Sequence, residues 1–213
     1  LLLSELDKKQ LCDFIRIECA NDRHFQQRFL SLGTGFLTSP KFCDYHARIM
    51  DVIEEFGDRH GYVEYSKTFR LNRAICQIID EADVAIQNYQ WDVAQVILDS
   101  IATSGEEILY CGDDSAGELG DILHYCFQKW HELSSDELLP EGKKSELFEL
   151  SLTHFAEGCL KGFDWWWDWI QMAIQLADDE EKQGRIIQEL DKVININGDE
   201  WGINYNRQVS QRH

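Results

Sequence analysis

The sequence has very little proline, and that scarcity bounds its secondary structure. Only two prolines, Pro40 and Pro140, occur in 213 residues. Because proline removes a backbone hydrogen-bond donor and breaks helices, their absence elsewhere favours long helices. Hydrophobic residues make up 44% of the chain and aromatic residues 12%, which excludes a disordered polypeptide and provides a real core.

Basic residues are also scarce, and they are absent from the middle of the chain. The sequence has 20 Lys and Arg against 39 Asp and Glu, a formal charge of −19. Residues 74–128 contain 11 acidic residues and no Lys or Arg. This charge argues against direct nucleic-acid binding, since phosphate would be repelled. Two interpretations remain open: a surface that keeps the protein soluble, or an acidic surface that attracts a basic protein or peptide partner.

The chain lacks the cysteine pairs and apolar runs that would place it outside the cytoplasm. Its seven cysteines include no CxxC, and the number is odd. They predict small buried side chains in a reducing compartment rather than a disulfide framework. No apolar run approaches the roughly 18 residues of a membrane span, so we expect a cytoplasmic protein with no membrane contact. The first residue is not Met, and we expect a trimmed chain or a piece of a longer protein.

The pattern of apolar residues predicts an all-α fold of about nine helices and no strand. The centre is a helical hairpin of tetratricopeptide size, formed by helices 66–89 and 91–110. We predict irregular stacked helical hairpins of α-solenoid type, with a compact helical bundle as the alternative. The expected organisation is one domain, 1–213, with an N-terminal subdomain 1–60, a hairpin stack 61–197 and a polar tail 198–213.

Motifs that carry chemistry are missing. The sequence has no HxxxH, HExxH, ExxH or GxSxG motif and no glycine loop followed by lysine. His124, Cys126 and His131 lie close together on one predicted helix, but without a ligand motif they indicate packing rather than a metal site. We therefore predict no catalytic residue, no cofactor and no metal, and expect that the protein is not an enzyme.

Two stretches are candidates for partner contact. In "GDDSAGELGD", Gly112 is expected to end one helix, while Asp113, Asp114 and Ser115 cap the next. The alternative is that Asp113, Asp114 and Glu118 contact a cation or a partner.

The second stretch, "FDWWWDWI", holds four of the seven tryptophans. On a helical wheel of residues 163–178 the apolar arc spans far more than the roughly 100° of a surface helix. Trp166 and Trp169 lie inside this arc and are predicted to be core residues whose indole N–H groups find partners. Trp165 and Trp167 lie at its edges and are the two that a partner could contact.

Three stretches together resemble a known family. They are "LLLSELDKKQLCDFIRIECANDRHFQQRFL", "AIQNYQWDVAQVILDSI" and "DDSAGELGDIL". In this order they resemble the helical region that follows the zinc finger in bacterial SWIM-type zinc-finger proteins. The CxC ligand pair of that finger is absent here, so no metal ligand carries over. The resemblance implies a helical companion domain used for protein contacts.

Two functions follow as hypotheses. The first is a non-catalytic protein-interaction or scaffold domain, a companion to a zinc-finger region. The second is a small-molecule-binding protein or enzyme with a pocket between helices. A closed pocket of several hundred Å³ with convergent polar groups would favour the second, and an open surface with exposed aromatics the first.

Overall fold

A computed structural model describes residues 8–21 and 42–196. Within these ranges the chain forms nine helices and no strand, only isolated bridges, which confirms the all-α prediction. The helices are α1 (Lys8–Asn21), α2 (Phe42–Phe56), α3 (Tyr65–Gln87), α4 (Trp91–Thr103), α5 (Gly105–Tyr110), α6 (Glu118–Ser134), α7 (Glu141–Glu157), α8 (Trp166–Leu176) and α9 (Glu180–Ile196). None of these helices has the length and apolar character needed to cross a membrane.

The chain divides into two compact units, Leu1–Lys129 and Trp130–His213, and the boundary falls inside α6. Several predicted features lie outside the described residues. These are residues 1–7 and 22–41 of the predicted N-terminal subdomain and the polar tail 198–213.

The hairpin of α3 and α4, packed against α2, forms the core of the first unit. Apolar residues recur on α3 every three or four positions, so they line one face, and that face is buried. Alanines within the hairpin let the two helices approach closely. The buried side chains of α3 are Thr68, Leu71, Ile75, Ile78, Ile79, Ala82 and Ala85. The tight turn predicted between the helices is present, with Tyr89 at a φ of +60°.

The second helix of this hairpin is shorter than predicted. The sequence predicted one helix from Trp91 to Tyr110, but the helix ends at Thr103 and a separate short helix begins at Gly105. Ser104 lies between them, fully buried, and its hydroxyl donates to the carbonyl oxygen of Ser100 at 2.7 Å. A serine followed by a glycine interrupts a helix easily. The serine hydroxyl can form hydrogen bonds with backbone groups in place of the helical ones, and glycine has a low helix propensity.

Three side-chain contacts join α6 to α3. Residue numbers rise on both helices from one contact to the next, so the two helices run parallel. Asn72 Nδ2 donates to the carbonyl oxygen of Glu118 at 2.6 Å, at the first residue of α6. Further along, Tyr125 Oη donates to Asp80 at 2.9 Å, and Lys129 Nζ donates to Asp83 at 2.8 Å. The apolar face of α6 is buried: Leu119, Ile122, Leu123, Cys126, Phe127 and Trp130.

The second unit is built on α7, α8 and α9, which pack against one another. Trp130, Phe148, Phe155 and Trp169 are its largest fully buried side chains. Gly158 caps the C-terminus of α7, with a φ of +82° and an N–H that donates to the carbonyl oxygens of His154 and Phe155. Glycine suits this left-handed cap, since a side chain would be strained there.

Candidate protein-interaction surface

Two loops of the first unit are held together next to the start of α3. The backbone N–H of Val63 donates to the carbonyl oxygen of Cys111 at 2.7 Å, and that of Asp113 donates to the oxygen of Val63 at 3.2 Å. Gly112 lies between these two bonds. A Cβ atom there would lie 2.5 Å from the oxygen of Val63, so only glycine permits this approach. Gly112 directly follows Cys111, the C-cap of α5, and it also forms the bridge to Val63.

The loop before Val63 is ordered by one carboxylate. Asp58 Oδ1 accepts hydrogen bonds from the N–H groups of His60 at 2.7 Å and Tyr62 at 3.1 Å. The N–H of Asp58 donates to the oxygen of Tyr62 at 2.9 Å, which closes the turn. Gly61, with a φ of +80°, supplies the conformation that the turn requires. Tyr62 is thereby fixed beside the bridge.

Four aromatic side chains near this bridge are exposed, and we call them the aromatic patch. The exposed fractions are 47% for Tyr62, 58% for Tyr65, 60% for Phe69 and 71% for Tyr110. Tyr65 and Phe69 are four residues apart on α3, so they lie side by side on one helix face. Together the four residues expose on the order of 400–600 Å² of surface.

The patch lies where α3 extends past α6. Asn72 contacts the first residue of α6, and Val63 contacts the loop that precedes α6. Tyr65 and Phe69 fall between these two contacts along α3. The same stretch of α3 is spanned by residues 111–117, which join α5 to α6 and which we call the acidic loop. The exposed tyrosine at position 110 directly precedes this loop.

The three acidic residues predicted for partner contact lie in and beside the acidic loop, where two of them also order the backbone. Asp114 accepts hydrogen bonds from the N–H groups of Leu119 at 2.7 Å and Gly120 at 3.2 Å, in the first turn of α6. Asp113 accepts from both the hydroxyl and the N–H of Ser115. Of the three residues predicted to cap α6, Asp114 therefore bonds the first-turn donors, whereas Ser115 bonds Asp113 instead.

The carboxylates of Asp113, Asp114 and Glu118 are not neutralised by a neighbouring cation of the described chain. All three are half-buried, and none makes an ion pair with another described residue. The hydrogen bonds from Ser115 hold the pKa of Asp113 below its ordinary value, so this carboxylate is ionised at neutral pH. A surface of exposed rings with adjoining carboxylates results.

Two other acidic residues of the stretch 74–128 form ion pairs. Glu81 accepts from both terminal nitrogens of Arg48, at 2.9 and 2.6 Å, and so joins α3 to α2. Asp83 pairs with Lys129, the first cation after the stretch, at 2.8 Å.

The tryptophan segment is mostly core, as predicted. Trp169 is fully buried, and Trp166 is 7% exposed. The Trp166 ring stacks on Phe155 with centroids 4.7 Å apart, and its indole N–H donates to the oxygen of Phe155 at 2.9 Å. Trp165 and Trp167 are half-buried, so they are not core residues but expose far less than Tyr110. The helix itself begins at Trp166, three residues later than predicted.

Two polar side chains of α8, Asp168 and Gln175, contact the end of α6. His131 Nε2 lies 3.2 Å from Asp168 Oδ1. Ser134 Oγ donates to Gln175 Oε1 at 3.3 Å, and Gln175 Nε2 donates to Ser135. These hydrogen bonds hold α8 against the end of α6 inside the second unit.

A small pocket lies beside Trp166 in the second unit. Its volume is about 140 Å³. The lining residues are Phe155, Ala156, Glu157, Gly158, Lys161, Trp166, Glu189, Lys192 and Val193. Lys161 Nζ lies 5.4 Å from the centroid of the Trp166 ring, and Lys192 pairs with Glu189 at 2.6 Å. The pocket is smaller than the roughly 300–1,000 Å³ of typical small-molecule sites.

The cysteines differ from the prediction in burial. Cys126 is buried, Cys19, Cys76, Cys111 and Cys159 are half-buried, and Cys12 is exposed. Burial, aided by nearby carboxylates, raises the pKa of the Cys76 thiol to about 11, and burial raises that of Cys111 to about 11. Both thiols are therefore poor nucleophiles at neutral pH. In the described ranges no group of three or more His, Cys, Asp or Glu could hold a metal ion.

The chain matches no known family model, no curated protein and no solved structure. The resemblance to the helical region of SWIM-type proteins accordingly stays a prediction. The aromatic patch was missed at the sequence level. A signal was present, because Tyr65 and Phe69 lie four residues apart and outside the apolar arc of α3.

Proposed function

We propose that this chain is a non-catalytic protein-interaction domain that docks its partner on the aromatic patch. The observation that carries the proposal is the exposure of the aromatic patch next to the hydrogen-bonded bridge between Val63 and residues 111–113. Exposed aromatic clusters of this size are enriched in protein interfaces, where they bury large areas at a small entropic cost. Helices and a hydrogen-bonded bridge hold the patch, so little ordering is needed on binding.

The partner in this proposal is a basic protein or peptide. The carboxylates of Asp113, Asp114 and Glu118 border the patch without an ion pair of their own. A positively charged segment would gain from their field, and a phosphate backbone would be repelled. The resemblance to SWIM-type proteins adds a second part to the proposal, that the domain is a companion to a zinc-finger region.

A small-molecule pocket is the competing function, and it has weaker support. The pocket beside Trp166 has a volume of about 140 Å³, enough for one side chain or a very small ligand. Its two lysines are balanced by Glu157 and Glu189 in the same lining. The exposed aromatic patch and this small pocket together favour an interaction domain over an enzyme.

The test is partner recovery with matched variants. A photo-crosslinking amino acid at position 69 should capture a reproducible partner in the native cell. Recovery should be lost in a Tyr62→Ala/Tyr65→Ala protein and kept in Val84→Ala, since Val84 is equally exposed, at 56%, on the same helix. Equal recovery with both variants would contradict the docking role of the patch.

A further inference from the structure

The aromatic patch and the acidic loop together present rings next to unpaired carboxylates. Tyr65 and Phe69 offer adjacent ring surfaces on α3. Asp113 and Glu118 lie on the neighbouring loop and helix start, which the bonds to Val63 and Asn72 hold against α3. A ligand group that contacts both must combine a flat surface that stacks on a ring with a positive charge.

Guanidinium meets both requirements better than ammonium does. It is planar, stacks on aromatic faces and donates two parallel hydrogen bonds to one carboxylate. The same chain already uses this arrangement in its second unit. Arg185 donates to both carboxylate oxygens of Glu149, and its guanidinium carbon lies 5.3 Å from the centroid of the Phe148 ring.

Charges of both signs surround the patch, and the negative ones lie in and beside the acidic loop. The acidic loop belongs to the stretch 74–128, which has no Lys or Arg to compete for its carboxylates. On α3 itself Arg70 and Arg73 are exposed, and Arg73 follows Phe69 by four residues on the same helix face. The attraction for a cationic ligand therefore comes from the acidic loop and not from α3.

We infer that the patch binds an arginine-bearing basic segment of a partner protein. A guanidinium stacks on Tyr65 or Phe69 and pairs with Asp113 or Glu118. This inference rests on the proposed function and adds the chemistry of the partner. It predicts that arginine is preferred over lysine, because the charge alone does not satisfy the ring contact.

The experiment measures fluorescence anisotropy of short labelled peptides with the whole chain. Four peptides of equal length are compared: arginine-rich, lysine-rich, glutamate-rich and leucine-rich. The arginine peptide should bind, more weakly as salt rises, and the lysine peptide about five-fold or more weaker. Tyr65→Ala/Phe69→Ala should weaken arginine-peptide binding by about ten-fold or more, and Val84→Ala should leave it unchanged.

The outcomes separate the inference from the proposed function. Equal affinity for the arginine and lysine peptides would overturn the arginine preference. If only the leucine-rich peptide binds, and it loses affinity in Tyr65→Ala/Phe69→Ala, the docking surface stands and the arginine inference falls. If no peptide depends on Tyr65 and Phe69, both fail. Asp113→Asn/Glu118→Gln must also weaken the arginine peptide, since unchanged affinity would remove the carboxylates from the site.

Discussion

The two units of the chain use their aromatic residues in opposite ways. In the second unit the large rings of Trp130, Trp166 and Trp169 are almost fully buried. In the first unit the smaller rings of Tyr65 and Tyr110 are mostly exposed. The four tryptophans of "FDWWWDWI" thus belong to a helix that packs on several sides. Partner contact is expected instead at the aromatic patch of the first unit. Where a ring lies relative to neighbouring helices matters more than how many rings a segment holds.

The largest expected effect tests the buried side of this comparison. Trp166→Ala should lower the free energy of unfolding by about 3–5 kcal/mol, since it removes a stacked, hydrogen-bonded ring and leaves a cavity. Phe69→Ala should change it by no more than about 0.5 kcal/mol, because Phe69 is exposed. Urea unfolding followed by circular dichroism measures both. A similar loss of unfolding free energy in both variants would contradict the difference between a buried Trp166 and an exposed Phe69.

The next effect concerns the bridge that supports the patch. Gly112→Ala should destabilise the first unit by about 1–3 kcal/mol, because the new Cβ would lie 2.5 Å from the oxygen of Val63. Its control, Gly142→Ala, meets no atom within 4 Å in α7 and should raise stability by up to about 1 kcal/mol. Thermal unfolding distinguishes them by sign. A neutral Gly112→Ala would mean that the bridge is not needed.

A smaller effect is expected at the start of α6. Asp114→Ala removes the acceptor for the N–H groups of Leu119 and Gly120 and should cost about 0.5–2 kcal/mol. Asp121→Ala, an exposed acid of the same turn, loses only its interaction with the helix dipole and should cost about 0.5 kcal/mol or less. Chemical unfolding of the two variants gives the comparison. Equal costs would assign the Asp114 effect to charge alone.

The smallest effect is the pH dependence of Asp113. Its pKa in the folded protein is below the ordinary value of 3.8, so its contribution to stability is present above that pH. The contribution is lost as the pH falls through the lower, folded pKa. The stability difference between the parent and Asp113→Asn should therefore shrink on acidification from pH 6 to below about pH 3. A difference that grows on acidification would contradict the role of Ser115 as its donor.

The helices and much of the core could be predicted from local sequence. Spacings of three and four residues placed Leu71, Ile75 and Ile78 on the buried face of α3, and the wheel placed Trp166 and Trp169 in the core. The interruption between α4 and α5 at Ser104 was not predicted, although a glycine directly follows this serine. Apolar residues continue on both sides, so the helical period does not reveal the interruption.

The candidate site could be predicted only in part. Asp113, Asp114 and Glu118 were identified from their residue types, but the patch beside them was not. The exposure of Tyr65 depends on where α6 begins along α3, and that is set by Asn72 and by the bridge from Val63 to Cys111. Both contacts join residues more than 40 positions apart. No local pattern encodes them.

The most direct test of the central claim is an NMR titration of the labelled chain with the arginine-rich peptide. If the interaction surface is the aromatic patch, backbone amide shifts should change at residues 62–72 and 110–120. The amides of residues 163–176 should stay in place. Shift changes confined to the tryptophan segment would contradict the account and would move the interaction surface to the second unit.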